Sequence, residues 1–553
     1  MGIEKMNLEG SMCDIMGIDL GTTNSAVSVY DASLVPYTLP IGELGRKTVP
    51  SCVLWEGGDK FIVGAEAYRK RYLPSVCYSV KRLMGTDQLV KLTAENGEVR
   101  SFQPKEISAE ILRYLALKVA ECYRPIKKCI ITVPAYFNQR QISDTADAAS
   151  IAGLECIQIL KEPTSASYIY SMLGYAQTGS ILIYDLGGGT FDVTHMKFVR
   201  RDSIPSKMIT SLKKRYGIDV DTLNPEQKYF CKVLGTYGDT HLGGDDIDEE
   251  MARRLDPKRE LSAEDFERLI LRCESFKKQA AYAMDVDLNG KMYHITEDLL
   301  NSAVDHVFDK TIELFKDIDM SLVKTIVLVG GSTKSKRIRD NLSRVYPHIE
   351  ISAVLNPDET VALGAGAVAK AIANCENLSY QDVLPLSIGI LVDDKQVEYC
   401  IKRNTPMPYA VTRTFYTMND NQKAIDLSLY QGLSRDPKEC TFIGNVHIDN
   451  IPEKEAGEVS VNVSFTLNAQ GRLAIVSIVD GMATKHELVI DNIFNVKKQE
   501  TTGQKYADEF EEAIMPLAEG NPEFLKLFED RRNAKSDAER EEIENKIAEM
   551  AMA

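Results

Sequence analysis

The sequence predicts a multidomain chain, α/β in its larger part and β in its smaller, closed by a short helical tail. Three textures predict it. Over residues 1–377 short apolar runs alternate with longer helical stretches, the pattern of sheets covered by helices. Over 385–490 apolar and polar residues alternate strictly, as in a compact antiparallel sandwich. Over 491–553 the chain is charged and helix-like, broken at Pro516 and again at Gly520 to Pro522. Residues 378–384 are left as a linker. At 553 residues the chain exceeds one hydrophobic core, and length alone calls for about two to four domains.

Composition narrows the function. With 44% hydrophobic and 26% charged residues, this is the make-up of a soluble globular protein. A formal net charge of −16 argues against nucleic acid, whose binding needs clustered Lys and Arg to displace counterions. The eleven cysteines stand singly, without C-x-x-C spacing, and read as reduced, mostly buried small apolar residues. No run is long enough to cross a bilayer, and the first fifteen residues lack an apolar core behind a basic start. A cytoplasmic protein, away from membrane, is expected.

In the first part, ILIYDLGGG (Ile181 to Gly189) and TIVLVGGS (Thr325 to Ser332) each run from an apolar strand into a glycine turn, and ISAEILRYLALKVAECY has helical spacing. Such turns recur in GIDLGTTNS, DLGGGTFD and VLVGGST, which predicts two lobes closing on one ligand. In the second part, AIDLSLY places Ile425, Leu427 and Leu429 on one face, and VSVNVSFTL does the same with Val459, Val461, Val463, Phe465 and Leu467. NAQG, Asn468 to Gly471, reads as the hairpin turn before RLAIVSIV. In the tail, Ser536 to Glu539 is a capping box before a helix with Ile543, Ile547 and Met550 on one face.

The turns carry the chemistry. From Gly17 to Ser25 a strand ends in small hydroxyl residues and one carboxylate. Gly21 lets the backbone approach a phosphate, Thr22 and Thr23 offer N–H and O–H donors, and Asp19 can hold a hydrated Mg²⁺. The same grammar returns from Asp185 through Gly187, Gly188 and Thr190 to Asp192. Two such turns facing each other would clamp a polyphosphate and its metal. One alone is weak evidence, since glycine turns follow strands in many folds for geometric reasons.

MGIDLGTTNSAVSVY, ITVPAYFN, KEPTSAS, YDLGGGTFDVT, GDTHLGGDDID, IVLVGGSTK and LNPDETVALGAG together resemble the successive signatures of the DnaK-type heat shock protein 70 family, over roughly Ile15 to Ile490. The resemblance implies an actin-like two-lobed ATPase domain in 1–377, a β-sandwich peptide-binding domain in 385–490 and a short helical lid in 491–553. Its implied activity is hydrolysis of ATP to ADP, with Mg²⁺, coupled to the holding of unfolded or extended peptide clients. Lys81 matches the family's active-site lysine, Glu162 and Asp185 the carboxylates that order the metal's water shell, and Thr190 a γ-phosphate contact; Asp19 and Asp185 would hold the metal through water. The nucleoside would lie against Gly330, Gly331 and Ser332, with Glu274 and Lys277 at the ribose and Lys334 and Asp358 beside it. By residue type alone, Lys81 reads as a solvated surface lysine and Glu162 as a helix-start carboxylate before Pro163.

Ile390, Phe415, Ile425 and Leu427 match the family's peptide-pocket positions, although alternating Ile and Leu on a strand usually just fill a sandwich. Several positions depart from the family pattern. Lys334 stands where an Arg packs on adenine, and Ala281 where a hydroxyl often contacts the base, so looser nucleotide binding is expected. Ile142 and Gln158 replace arginines, Asp393 and Met418 take the places of side chains that arch over peptide, and ENLSYQDVLPLS is a weakly apolar linker. An insertion lies between Phe198 and Tyr237. A monomer is expected, with a J-domain co-chaperone and a nucleotide exchange factor as possible partners. Two alternatives stay open: a sugar-type kinase of the same superfamily, and a binding module that uses nucleotide only as a switch.

Overall fold

The computed structural model describes residues 13–30, 36–200, 229–279, 283–374, 380–393, 395–449, 451–468, 471 and 473–479, with the backbone of 485–490. It divides into two compact units, one of 1–137, 144–199 and 224–380, the other of 138–143, 200–223 and 381–553. The chain passes from the first to the second between Tyr380 and Gln381, inside the segment expected as linker. The tail from 491 with its Ser536 cap, residues 201–228 of the insertion, Leu378 and Ala281 lie outside the described residues.

Two sheets of the first unit repeat one plan. The strands of one run in the order Glu155–Lys161, Lys128–Val133, Ile15–Asp19, Asn24–Val29 and Tyr37–Thr38. Those of the other run Glu350–Ser352, Val323–Val329, Gly179–Leu186, Phe191–Arg200 and Tyr229–Asp239. In each, the central strand pairs in parallel on one side and antiparallel with its own hairpin partner on the other. Asp19 therefore holds in the first sheet the place that Asp185 holds in the second. Both central strands are apolar along their length, with Met16, Ile18, Leu182, Ile183 and Tyr184 fully buried, because both faces are covered.

Small residues bring the helices close. The helix Thr360–Ala373 lies so near Ile15–Asp19 that a Cβ on Gly17 would strike the backbone of Gly366 and Ala365. On its other side a Cβ on Gly364 would strike Ser165, whose hydroxyl donates to the Val361 carbonyl at 2.7 Å. Ser165 belongs to the helix Glu162–Met172, so this packing sets where Glu162 stands. Among the described residues no helix is long and apolar enough to cross a membrane.

In the second unit, two four-stranded antiparallel sheets share one core. Their orders are Gln396–Ile401, Ser387–Val392, Ile425–Gly432, Thr441–Ile448, and Tyr409–Tyr416, Ser460–Leu467, Leu473–Val479, Lys485–Ile490. Ile388, Leu429 and Ile443 from one sheet and Val461, Val463, Phe465 and Ile475 from the other build the core, as the period-2 pattern required. The hairpin turn falls where NAQG predicts it. Leu467 pairs with Leu473, and the Gly471 N–H donates to the Asn468 carbonyl at 3.0 Å with Gly471 at φ 81°, a left-handed position that costs glycine little.

Candidate functional site

The two glycine turns, more than 160 residues apart in sequence, meet in the first unit. A Cβ on Gly188 would overlap the Thr23 side chain, and one on Gly189 would overlap Thr22. The Gly244 N–H donates to the Gly187 carbonyl at 2.9 Å and the Asp245 N–H to the Gly188 carbonyl at 2.7 Å. Ser332, from the third turn, donates to the same Gly187 carbonyl at 2.8 Å. Gly330, at φ 82°, leaves no room for a side chain beside the Asp185 carboxylate and the Leu186 carbonyl. Near Gly21 a Cβ would strike the Asn24 carbonyl. The turns thus present bare backbone toward one space.

Charged groups collect at the strand ends beneath. Ser79, left-handed at φ 53°, turns the chain into the short 3₁₀ segment Val80–Leu83, which carries Lys81 inward. Lys81 and Glu162 are only 5% and 7% exposed, and their Nζ and Oε1 are 2.5 Å apart. Lys81 is therefore no solvated surface lysine. Glu162 does begin its helix ahead of Pro163, so the helix-start reading holds and the carboxylate also faces the lysine. Asp19 accepts from Thr132 Oγ1 at 2.9 Å. Asp185 and Asp192 are register partners across their hairpin, and Asp192 accepts from the Tyr136 N–H at 3.2 Å.

Three buried carboxylates, Glu162, Asp185 and Asp192, with half-buried Asp19 beside them around one ammonium, are electrostatically overdrawn. Burial and then the Glu162 charge push the Asp19 carboxyl up to about 7, against some relief from Lys81 and Thr132. The same two causes push Asp192 up to about 8 and hold Asp185 well above the ordinary carboxylate range, with Asp192 and Asp19 adding to it. A second observation points the same way: the Thr22 hydroxyl is buried without a partner. An orphaned donor, bare glycine turns and surplus negative charge fit a polyphosphate with a divalent cation. Among the described residues no three His, Cys, Asp or Glu side chains converge as direct metal ligands.

The remaining expected residues line the same space or its margin. Lys277 Nζ donates to the Gly244 carbonyl and to Asp248 Oδ2, each at 2.6 Å. Glu274 is buried between Arg71 at 2.8 Å and Lys278 at 2.6 Å; burial would raise its carboxyl, but Lys278 and Arg71 together hold it below its ordinary value. Lys334, expected near the base, forms an ion pair with Asp358. The Gly187 N–H donates to the Thr190 carbonyl at 3.0 Å, closing the second turn. The pocket of about 380 Å³ lined by Phe308, Ile312, Phe315, Val345 and Tyr346 shares no residue with this constellation.

Sequence matching follows the same residues. The chain matches the family described as Hsp70 protein over residues 15–201 and 218–552. The chain belongs to the Hsp70 family. Among Hsp70 relatives, it is 31% identical to chaperone protein DnaK of Mycoplasma mycoides subsp. mycoides over 516 residues, 88% of this chain and 81% of that one. It is 32% identical to chaperone protein DnaK of Mycoplasmoides gallisepticum over 472 residues, 83% of this chain and 77% of that one. It is 28% identical to the heat shock cognate HSP70 protein of Trypanosoma brucei brucei over 568 residues, 91% and 79%. Hsp70 proteins are ATPases that bind ATP and ADP, generally with Mg²⁺.

Sequence reasoning passed over several groups of this Hsp70 site. Thr132 and Asp245 lie inside quoted motifs, yet nothing local marks Thr132 as the donor to Asp19, or Asp245 as the acceptor for Ser79 at 2.8 Å and Thr23 at 3.4 Å. Arg82, beside Lys81, donates to the Gly189 carbonyl at 2.8 Å and to Asp246 at 2.6 Å. Arg71 carries no signal in sequence at all. Gln158, expected from the sequence to replace a family arginine, donates to the Tyr380 hydroxyl at 3.1 Å.

In the second unit Ile390, Ile425 and Leu427 are 5%, 8% and 6% exposed, and Phe415 packs half-buried against the same core. The four expected peptide-pocket side chains therefore belong to one apolar cluster. Asp393 sits at φ 52° in a turn and Met418 is exposed.

Proposed function

We infer that this Hsp70 chain is an ATP-dependent molecular chaperone that hydrolyses ATP in its first unit and holds extended hydrophobic segments of unfolded protein in its second. The observation that carries the reading is the buried Lys81–Glu162 pair set among Asp19, Asp185 and Asp192 where two equivalent strand turns meet. Phosphoryl transfer to water needs positioning and charge neutralisation more than covalent help. Lys81, its direction fixed by Glu162, stabilises the γ-phosphate and orients the attacking water. Gly21, Thr22, Thr23, Gly187, Gly188 and Thr190 offer backbone and hydroxyl donors to the phosphates. Asp19 and Asp185, with Asp192 and Glu162 near them, suit a hydrated Mg²⁺, which supplies charge neutralisation on the phosphate oxygens when bound. Glu274, Lys277, Gly330, Gly331, Ser332, Lys334 and Asp358 take the nucleoside.

An extended client would lay its backbone along strands of the sandwich and one apolar side chain against Ile390, Phe415, Ile425 and Leu427. A J-domain co-chaperone and an exchange factor are the proposed partners, and residues 1–377, 378–384, 385–490 and 491–553 the proposed functional divisions. Lys81→Ala tests the chemistry directly. Phosphate release falls at least ~100-fold, the usual cost of one preorganised charge donor, while ATP still binds in calorimetry. Turnover within twofold of the parent would remove Lys81 from its role.

A further inference from the structure

Cys129 and Cys156 are far apart in sequence but face each other in the fold. They are direct register partners on the adjacent parallel strands Lys128–Val133 and Glu155–Lys161. Opposite residues on neighbouring strands project from the same side of the sheet, about 4.8 Å apart along the hydrogen-bonding direction, within the span a disulfide bridges. The register is irregular immediately after this pair, between Cys129 and Ile130, so the backbone there is not held to strict ladder geometry. Their surroundings differ. Glu155–Lys161 is the edge strand of its sheet and Cys156 is half-buried, whereas Cys129 is fully buried.

We propose that Cys129 and Cys156 form an oxidisable thiol pair that hydrogen peroxide converts to a disulfide, and that this cross-link throttles the catalytic site. Cys156, the less buried of the two, is the attacking thiol. A hydrogen bond from Cys129 draws its ionisation downward against the opposing effect of burial, and the thiolate is the reactive form. Cys156 loses its proton, and its sulfur attacks one peroxide oxygen. The O–O bond breaks and the departing hydroxide takes up a proton as water, leaving a sulfenic acid. Cys129 sulfur then attacks the sulfenic sulfur, the S–O bond breaks, and the released hydroxide leaves with the Cys129 proton as a second water. Two thiols have lost two electrons and one peroxide has become two waters.

The consequence follows from what these strands carry. Three residues beyond Cys129 stands Thr132, whose hydroxyl holds Asp19; six beyond Cys156 stands Glu162, which holds Lys81. Thr132 and Val133 pair with Leu160 and Lys161 in the same ladder. A bond that draws the strands together at the irregularity shifts both supports of the site. The effect on turnover rests on the ATPase reading; formation of the bond does not.

The full-length protein is treated with hydrogen peroxide, alkylated and digested with trypsin without reductant. A linked pair of peptides, 129–140 with 141–161, two hydrogens lighter than their sum, is expected, together with a severalfold, dithiothreitol-reversible fall in phosphate release. Cys156→Ser, at the less buried position, retains basal turnover and loses the peroxide response. Cys129→Ala retains a sulfenic acid on Cys156 that dimedone traps, which keeps the test open should either variant fold poorly. Recovery of only unlinked peptides overturns the pairing. A linked pair with unchanged turnover, or a Cys156→Ser protein as peroxide-sensitive as the parent, overturns the control of the site.

Discussion

Replacing Asp19 by Asn stabilises the nucleotide-free protein at the expense of its activity, and does so only above acidic pH. Asp19 has an ordinary value of 3.8 and is pushed up to about 7 in the fold. The native protein therefore holds that proton more tightly than the unfolded chain does. Below about pH 4 both states are protonated and nothing is lost; between about 4 and 7 the native state is increasingly penalised, and above 7 the full penalty stands. A rise of about three pH units at about 1.4 kcal/mol each sets an upper bound near 4 kcal/mol. Because Glu162, Asp185 and Asp192 share the repulsion, a gain of about 1–3 kcal/mol is expected at pH 8 and close to none at pH 4. Asn is the right replacement because its amide oxygen still accepts from Thr132. Urea unfolding in EDTA across pH 4 to 9 measures the effect, and adding Mg²⁺ with ATP should reverse the order, since only the parent gains from the cation. An Asn variant less stable than the parent at pH 8, or one whose gain is the same at pH 4, would refute the overdrawn-charge account.

Arg71→Met removes one of the two cations paired with buried Glu274, leaving Lys278 and a hydrogen bond from Tyr68, and the free energy of unfolding from urea melts should fall by about 3 kcal/mol. Gly188→Ala puts a methyl group into Thr23; nucleotide affinity by calorimetry should drop at least ~10-fold with the second unit's peptide affinity unaffected, a loss of about 1.4 kcal/mol. Thr132→Val removes the donor whose hydrogen bond holds the Asp19 carboxyl down, so Asp19 ionises at higher pH, and phosphate release between pH 6 and 9 should fall with its rise displaced to higher pH.

The expected peptide positions illustrate why geometry and role separate. Ile425 and Leu427 alternate with Asp426 and Ser428 on their strand, and burial follows that alternation, as sequence period alone requires. The same burial serves a plain core and a pocket wall equally well, so period cannot distinguish them. Ser536 and its helix fall outside the described residues, and that part of the reading stays with its pattern.

What the sequence determined by itself is local: strands running into glycine turns, the change of period after Pro385, and the hydroxyl and carboxylate residues beside each turn. These depend on neighbours a few residues away, where backbone stereochemistry and side-chain alternation act directly. The tertiary structure alone decided that Lys81 is buried against Glu162, that Arg71 reaches Glu274 across about 200 residues, that Thr132 aims Asp19, and that Cys129 meets Cys156. Those are partnerships between distant segments, and the desolvation that gives each its energy exists only once the sheets and helices have closed over them.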